Sequence, residues 1–163
     1  MDRHFELTDK FIINAFGAKL FQIKCTRKIK YADIGDLGGY IEKENNLSGD
    51  AWVSGNAQVY GDAQVSGDAW VYGNAQVYGN AWVYGNAWVS NDNEHCGFDC
   101  FGSANRHTHS YKTKSGKIEI TCGCFRGSIE EFEKQIKETH RGNEFERQYM
   151  AIVEVIKIKF GLK

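Results

Sequence analysis

Four cysteines in the last part of the chain carry the sharpest chemistry that the sequence offers. Cys96 and Cys100 have a spacing that zinc ligands use, and Cys122 and Cys124 could complete a four-cysteine site. However, a single residue separates Cys122 from Cys124, which is tighter than the usual zinc knuckle, and free cysteines are often buried as small apolar side chains. The sequence therefore makes zinc a candidate cofactor and offers packed thiols as the alternative.

Three histidines in the same region, His95, His107 and His109, are further candidate ligands and the candidates for general-base chemistry. An acyltransferase built on hexapeptide repeats would need a histidine base beside a cleft. Residues 45–93, which hold a six-residue repeat, contain no histidine, and no long loop interrupts them. Acyl transfer therefore stays an alternative function, and the sequence assigns no catalytic residue.

The six-residue repeat is the strongest pattern in the chain. Alanine and valine lie two residues apart in each unit and therefore point to the same side of a strand, which we expect to be the interior. Glycine followed by Asn or Asp supplies the backbone angles of a corner. This period predicts a parallel β-helix of about three coils, with about 18 residues in each coil. The aliphatic positions are Ile41, Leu47, Val53, Val59, Val65, Val71, Val77, Val83 and Val89.

The residues on either side of each valine should point outward and form three faces. Because residues one coil apart stack, each face repeats vertically. The first face carries a ladder of Trp52, Trp70 and Trp88 with Tyr72. The second carries Gln58, Tyr60, Gln76 and Tyr78, and the third carries Gln64, Ser66, Trp82 and Tyr84.

The tryptophan ladder is the surface that the sequence favours for binding. A contiguous exposed aromatic patch usually marks an interaction site, and Trp and Tyr are enriched at binding hot spots. Three interpretations stay open. The rings stabilise the coil under a terminal segment that folds back over them, or they mediate self-association, most simply as a homotrimer, or they bind a host protein or a small ligand.

Composition excludes several classes of function. The net charge is −1, and residues 45–93 contain no Lys or Arg, so we expect no direct binding of nucleic acid, whose affinity comes largely from cations. No apolar run approaches the roughly 20 residues that cross a bilayer, and no signal peptide is visible. Five cysteines, an odd number, fit a reducing compartment. The sequence therefore predicts a soluble cytoplasmic protein without membrane association.

The flanks of the repeat predict two further parts. Residues 11–13 and 20–23 read as a hairpin, and residues 1–40 as an N-terminal β cap. Residues 107–113 and 117–122 predict a second hairpin. Ser128 with Glu131 and Asn143 with Glu146 are capping boxes that open two helices. The predicted organisation is a cap over 1–40, a β-helix over 41–93, and a hairpin with two helices (ββαα) over 94–163.

Three segments resemble the YdcK-like hexapeptide-repeat proteins, a group common in phages and prophages. The first is the lead-in Gly35-Asp36-Leu37-Gly38-Gly39-Tyr40-Ile41-Glu42, and the second is Asn46-Leu47-Ser48 with the Gly-Asn-Ala-x-Val units that follow it. The third is a C-terminal module with Cys122-Gly123-Cys124-Phe125, Glu131-Phe132 and Thr139-His140. The resemblance implies a left-handed β-helix, and a phage setting makes interference with host defence a reasonable hypothesis. Shared fold does not carry an activity across.

Together these observations predict a mainly β, cytoplasmic, non-enzymatic binding or assembly protein that forms a homotrimer. Its aromatic β-helix face would bind a host protein or a small ligand. An acyltransferase-like enzyme and a zinc-stapled structural module are the alternatives.

Overall fold

Short strands make up most of the regular structure, and two helices lie near the end of the chain. The structure is a computed structural model that describes residues 3–163. The chain divides into two units, Met1–Asp92 and Asn93–Lys163. The first unit contains the repeat, and the second contains the cysteines at 96, 100, 122 and 124 with the three clustered histidines.

The first unit begins with three longer strands, β1 (Phe5–Ile13), β2 (Lys19–Cys25) and β3 (Leu37–Ile41). A short 3₁₀ helix, Glu44–Asn46, leads into the repeat, and Asp92–Glu94 forms another one after it. Each repeat then supplies one strand of two residues. These strands are β4 (Trp52–Val53), β5 (Gln58–Val59), β6 (Gln64–Val65), β7 (Trp70–Val71), β8 (Gln76–Val77), β9 (Trp82–Val83) and β10 (Trp88–Val89).

The repeat strands pair in parallel with partners 18 residues away. Trp52 lies opposite Trp70, which lies opposite Trp88, and in the same way Gln58 pairs with Gln76 and Gln64 with Trp82. Backbone hydrogen bonds join the paired strands, as in Trp52 N to Ala69 O at 2.9 Å, where Ala69 directly precedes the partner residue Trp70. Each turn of the chain therefore places a strand beside the matching strand of the previous turn, which confirms a β-solenoid repeat with parallel sheets.

Alanine and valine fill the interior, as the pattern predicts. The alanines from Ala51 to Ala87 and the valines from Val53 to Val89 are all buried, and each valine contributes roughly 1.5–3 kcal/mol by leaving water. Asn46, which directly precedes Leu47, is also fully buried, and its Nδ2 donates to the carbonyls of Gly61 at 3.1 Å and Ala63 at 2.8 Å. A buried amide with both hydrogens used costs little.

The corner glycines have left-handed backbone angles and lie directly above one another. Gly67 has φ +71°, and a Cβ placed there would lie 2.9 Å from the nitrogen of Gly85. Gly79 has the similar φ of +66°, but no atom lies within 4 Å of its Cβ position. Glycine is therefore required at Gly67 both by the left-handed φ angle and by the close approach of the next corner, whereas at Gly79 only the φ angle requires it.

The N-terminal strands extend one sheet of the solenoid, in the order β1-β2-β3-β5-β8. The predicted hairpin is present, with Phe11 opposite Phe21 and Ile13 opposite Lys19. β3 pairs in parallel with β5 and so continues the repeat backwards from Val59 to Ile41.

The second unit contains an antiparallel sheet in strand order, formed by β11 (His95–Phe101), β12 (Arg106–Lys112), β13 (Ile118–Cys122) and β14 (Phe125–Gly127). The predicted hairpin is its centre, and the two outer strands were not predicted. β11 contains Gly97 and a register shift between Phe98 and Phe101, and both interrupt the alternation of apolar and polar residues that would have predicted a strand. β14 has only three residues and is too short to leave a pattern.

Both predicted helices are present as α1 (Ile129–His140) and α2 (Glu144–Phe160). The Ser128 hydroxyl accepts from Glu131 N, and the Asn143 side chain accepts from Phe145 N and Glu146 N, so both helix starts form through the expected caps. The core of this unit joins the sheet to the helices through Ile120, Ile129, Phe132, Ile152 and Ile156. In residues 3–163, no helix is long and apolar enough to cross a membrane.

We predict that Gly67→Ala lowers the free energy of unfolding of the solenoid by more than Gly79→Ala does. Left-handed strain alone costs about 1–2 kcal/mol at either site, and only Gly67→Ala also forces its Cβ against the backbone of the next corner. We therefore expect a loss of about 1 kcal/mol for Gly79→Ala and at least about 2 kcal/mol for Gly67→Ala in urea unfolding. Equal losses would contradict the stacked-corner geometry.

Candidate functional site

The first face of the solenoid contains the tryptophan ladder, and its rings differ greatly in exposure. Trp52 is only 2% exposed, whereas Trp70 and Trp88 are half-buried. Trp70 stacks on Tyr72 with ring centres 4.3 Å apart and contacts Trp88 at 5.4 Å. The indole of Trp70 also donates to the Ser54 hydroxyl at 2.9 Å. The open stripe expected from the sequence is therefore wrong for Trp52.

Residues from the N-terminal segment cover this ladder. His4 packs against Trp52 and its Nε2 lies 2.8 Å from the Ala51 carbonyl, while the Tyr31 ring stacks on Trp70 at 4.9 Å. Arg27 pairs with Asp50 at 2.7 Å beside them. The packing of His4 and Tyr31 on the ladder was not predicted, because no local pattern shows where a segment outside the repeat will pack.

The second face is partly covered and ends in an exposed ring. Tyr60 is buried between Phe16, at 6.4 Å, and Tyr78, at 5.3 Å with nearly parallel planes. Burial raises the pKa of the Tyr60 phenol. Gln58 and Gln76 are half-buried, and Tyr78 at the end of the stack is 54% exposed.

The third face presents two more exposed rings. Trp82 is 45% and Tyr84 43% exposed, and the Trp82 indole donates to Gln64 Oε1 at 2.8 Å, which fixes the ring. Tyr78, Trp82 and Tyr84 lie within one seven-residue segment, and we call these three residues the aromatic arc. The sequence named all three but ranked them below the ladder, because the repeat pattern treats the three faces alike.

Charge on the solenoid is compensated by cations from outside the repeat. Asp62 pairs with Lys43 at 2.8 Å, and Asp50 and Asp68 pair with Arg27 and Lys30. The Lys43 ammonium lowers the pKa of Asp62. The segment from Tyr78 to Tyr84 contains no charged residue. The aromatic arc is therefore a neutral surface.

The second unit brings the three histidines together on one side of β11 and β12. His107 Nδ1 lies 2.6 Å from Asp99 Oδ1, and His107 Nε2 lies 3.3 Å from His109 Nδ1. His95 stacks on His109 with ring centres 5.2 Å apart. Gly97 makes this possible, because a Cβ there would lie 2.6 Å from His107 Cε1.

Hydrogen bonds join the members of this cluster. Because Asp99 is an acceptor, His107 Nδ1 donates to it, and a second hydrogen bond joins His107 Nε2 to His109 Nδ1. His109 Nε2 is buried without a hydrogen-bond partner among the described residues. Burial, with His95 and His107 as neighbours, lowers the pKa of His109 well below its ordinary value. His109 therefore remains neutral in the folded state.

The cysteines are found in separate environments. Cys96 lies 3.0 Å from the Ser110 hydroxyl, and Cys122 accepts from Thr108 at 3.3 Å, while Cys100 and Cys124 are exposed. Burial raises the pKa of Cys96, which keeps it a thiol. Across residues 3–163, no three or more His, Cys, Asp and Glu side chains form a group that could hold a metal ion. The zinc site at Cys96, Cys100, Cys122 and Cys124 stays a prediction from spacing.

We predict that the second unit loses stability as the pH falls from about 7 to about 5. Above the ordinary histidine pKa, near 6.5, His109 is neutral in both the folded and the unfolded chain. Its protonation therefore does not lower the free energy of unfolding in this pH range. Below that pH the unfolded chain takes up a proton that the folded chain excludes, which costs up to about 1.4 kcal/mol per pH unit. The charged or titratable groups around His109 are His95, His107, Asp99 and Tyr111.

The measurement is urea unfolding of the wild type, of His109→Gln and of a control, His140→Gln, at several pH values. His109→Gln should flatten the pH dependence, whereas His140→Gln, which lies outside the cluster, should keep it. An unchanged slope in His109→Gln would show that the cluster does not titrate on unfolding.

Comparison with known proteins agrees with the geometry of the repeat. Residues 57–73, 63–76 and 75–91 match the family described as YdcK Beta solenoid repeat. No curated protein matches the sequence of the chain. The match covers only part of the repeat region and does not extend to the second unit. The repeat at residues 57–91 is therefore similar to the YdcK β-solenoid repeats and supports a β-solenoid repeat family for this part of the chain.

Proposed function

We propose that this protein is a non-enzymatic binding protein whose solenoid presents the aromatic arc to a ligand or partner. The observation that carries this proposal is the exposure of Tyr78, Trp82 and Tyr84, three large rings on one short segment. Exposed aromatic side chains that are already held in place lose little entropy on binding, so they are efficient contact residues.

The tryptophan ladder has a structural role in this proposal. Its rings pack on one another and on His4 and Tyr31, which belong to the same chain. A partner that used the ladder would first have to displace these residues. The binding surface therefore moves from Trp52, Trp70 and Trp88 to the aromatic arc.

The histidine cluster supports a non-enzymatic function over acyl transfer. His109 is 1% exposed and His95 is also buried, so neither imidazole presents a nitrogen to a substrate in solution. His107, the third, is engaged by Asp99 and His109. A general base must come within hydrogen-bond reach of the proton that it removes. The acyltransferase-like enzyme stays the alternative.

The finer features of the fold and the biological setting belong to the same proposal. The 18-residue register and the regular Gly-Asn-Ala-x-Val hexads support a left-handed solenoid of about three closed coils. The resemblance of the repeat and of the Cys122-Gly123-Cys124-Phe125 module supports a phage-type cytoplasmic protein. In that setting the occupant of the arc is a host protein or a small ligand, and binding it interferes with host defence.

Self-association is the second part of the proposal, and a separate observation favours it. Ile13 and Phe16, which we call the hairpin tip, lie at the turn between β1 and β2 and are 66% and 78% exposed. Exposed apolar side chains that form a common patch can mark an interaction site. We therefore place the contact of the predicted homotrimer at the hairpin tip and leave the aromatic arc outside it.

Light scattering tests this arrangement through the solution mass. The wild type should have three times the chain mass of 18.5 kDa. The double variant Ile13→Ser, Phe16→Ser should fall to folded monomers because its interface is lost. The matched variant Trp82→Ser, Tyr84→Ser also removes two large exposed side chains and should keep the trimer mass.

Two outcomes would contradict the proposal. A wild-type protein with the mass of one chain would show that the predicted homotrimer does not form. Dissociation of the Trp82→Ser, Tyr84→Ser variant with the hairpin-tip variant intact would place the aromatic arc inside the subunit interface, where it has no room for a partner. Circular dichroism of each variant shows that the strands remain folded.

A further inference from the structure

We infer that the aromatic arc binds a neutral polysaccharide. This inference rests on the proposed function, and in place of a host protein or a small ligand it assigns a carbohydrate polymer to the same surface. It follows from three properties of the arc and the repeat: exposed rings, uncharged polar side chains, and the absence of Lys and Arg from residues 45–93.

The exposed rings are suited to sugar rings. One face of a pyranose carries several C–H bonds, and such a face packs against the electron-rich face of an indole or a phenol. Trp82 and Tyr84 lie two residues apart on one strand and the turn after it, so their Cα atoms are about 7 Å apart and both side chains point outward. Tyr78 lies at the preceding corner. Trp82 and Tyr84, which share the third face, can therefore contact successive units of one chain.

The side chains around the rings supply hydrogen bonds to sugar hydroxyl groups. Gln64 and Asn80 are exposed beside the arc, and the tyrosines add their own hydroxyl groups. The hydrogen bond from the Trp82 indole to Gln64 fixes the largest ring before binding. A pre-ordered site of this kind lowers the entropy cost of association.

The charge of the repeat argues against nucleic acids and nucleotides, which are the competing ligands that carry stacking rings and phosphates. Nucleic acids and nucleotides depend on cations that neutralise phosphate, and residues 45–93 contain no Lys or Arg. The acids of the repeat at 50, 62 and 68 are already paired with Arg27, Lys43 and Lys30. An uncharged ligand therefore matches this surface better than an anionic or a cationic one.

The repeat geometry also matches a repeating ligand. Parallel strands place equivalent side chains one above another about 4.8 Å apart, as for Gln64 and Trp82 or Gln58 and Gln76. The column of Gln58 and Gln76 offers the same kind of contact at two heights, whereas the column of Gln64 and Trp82 places an amide beside a ring. A polymer that offers equivalent hydroxyl groups along its length can then bind in several registers, which raises its apparent affinity.

Affinity electrophoresis in native gels tests the inference with the full chain. The gels contain dextran, galactomannan, xyloglucan or mixed-linkage β-glucan, and one contains polygalacturonate as an anionic control. We expect at least one neutral polysaccharide to retard the wild type. Trp82→Ala and Tyr84→Ala should each weaken that retardation about tenfold or more, since one stacked ring contributes at that level. Trp82→Phe, which keeps a ring, should recover part of it.

Phe101→Ala is the matched control, because Phe101 is an exposed ring of 40% exposure in the second unit. It should be retarded like the wild type. Salt at about 0.5 M should leave the retardation unchanged, because an uncharged ligand is not screened.

Three outcomes would overturn the inference: no retardation by any neutral polysaccharide, retardation only by polygalacturonate, or an equal loss in Phe101→Ala. The proposed function would survive each of them if Trp82→Ser, Tyr84→Ser keeps the trimer mass. If that variant dissociates, the proposed function fails before the choice of ligand is reached.

Discussion

The backbone hydrogen bonds between parallel strands whose residues pair with an offset of 18 are the interaction on which the rest of the first unit depends. Each two-residue strand is too short to be stable alone, and it is held only because the strands above and below accept and donate at the same height. The register requires a small interior residue, a branched one two positions later, and a glycine where the corners lie on one another. Because these needs fix the inward positions, the outward positions are left to vary, and the aromatic rings occur there.

The N-terminal segment determines which of the outward positions can act. It extends one sheet through β3 and β5, and its His4 and Tyr31 rings cover the first face. Its cations Arg27, Lys30 and Lys43 also neutralise acids of the repeat. One segment therefore stabilises the ladder, removes charge from the solenoid, and leaves the aromatic arc as its exposed aromatic surface.

The sequence predicted what depends on periodicity and on local caps, and it failed where distant segments meet. The solenoid strands, the capping of α1 by Ser128 and the first hairpin follow from patterns within a few residues. β14 was missed because three residues carry no period. The burial of Trp52 under a terminal segment was one of three open interpretations, and spacing could not choose it because the burial depends on His4, which lies outside the repeat. The aromatic arc contains predicted residues, but its exposure follows from what covers the other faces, which spacing alone does not reveal.

Acrylamide quenching of tryptophan fluorescence measures most directly which aromatic face is open. The chain has four tryptophans, and only Trp82 among them is exposed, so single Trp→Phe variants can be compared one at a time. We predict that Trp82→Phe removes most of the quenchable fluorescence and that Trp52→Phe removes almost none of it. Strong quenching that persists in Trp82→Phe and disappears in Trp52→Phe or Trp70→Phe would show that the ladder, and not the aromatic arc, is the open surface.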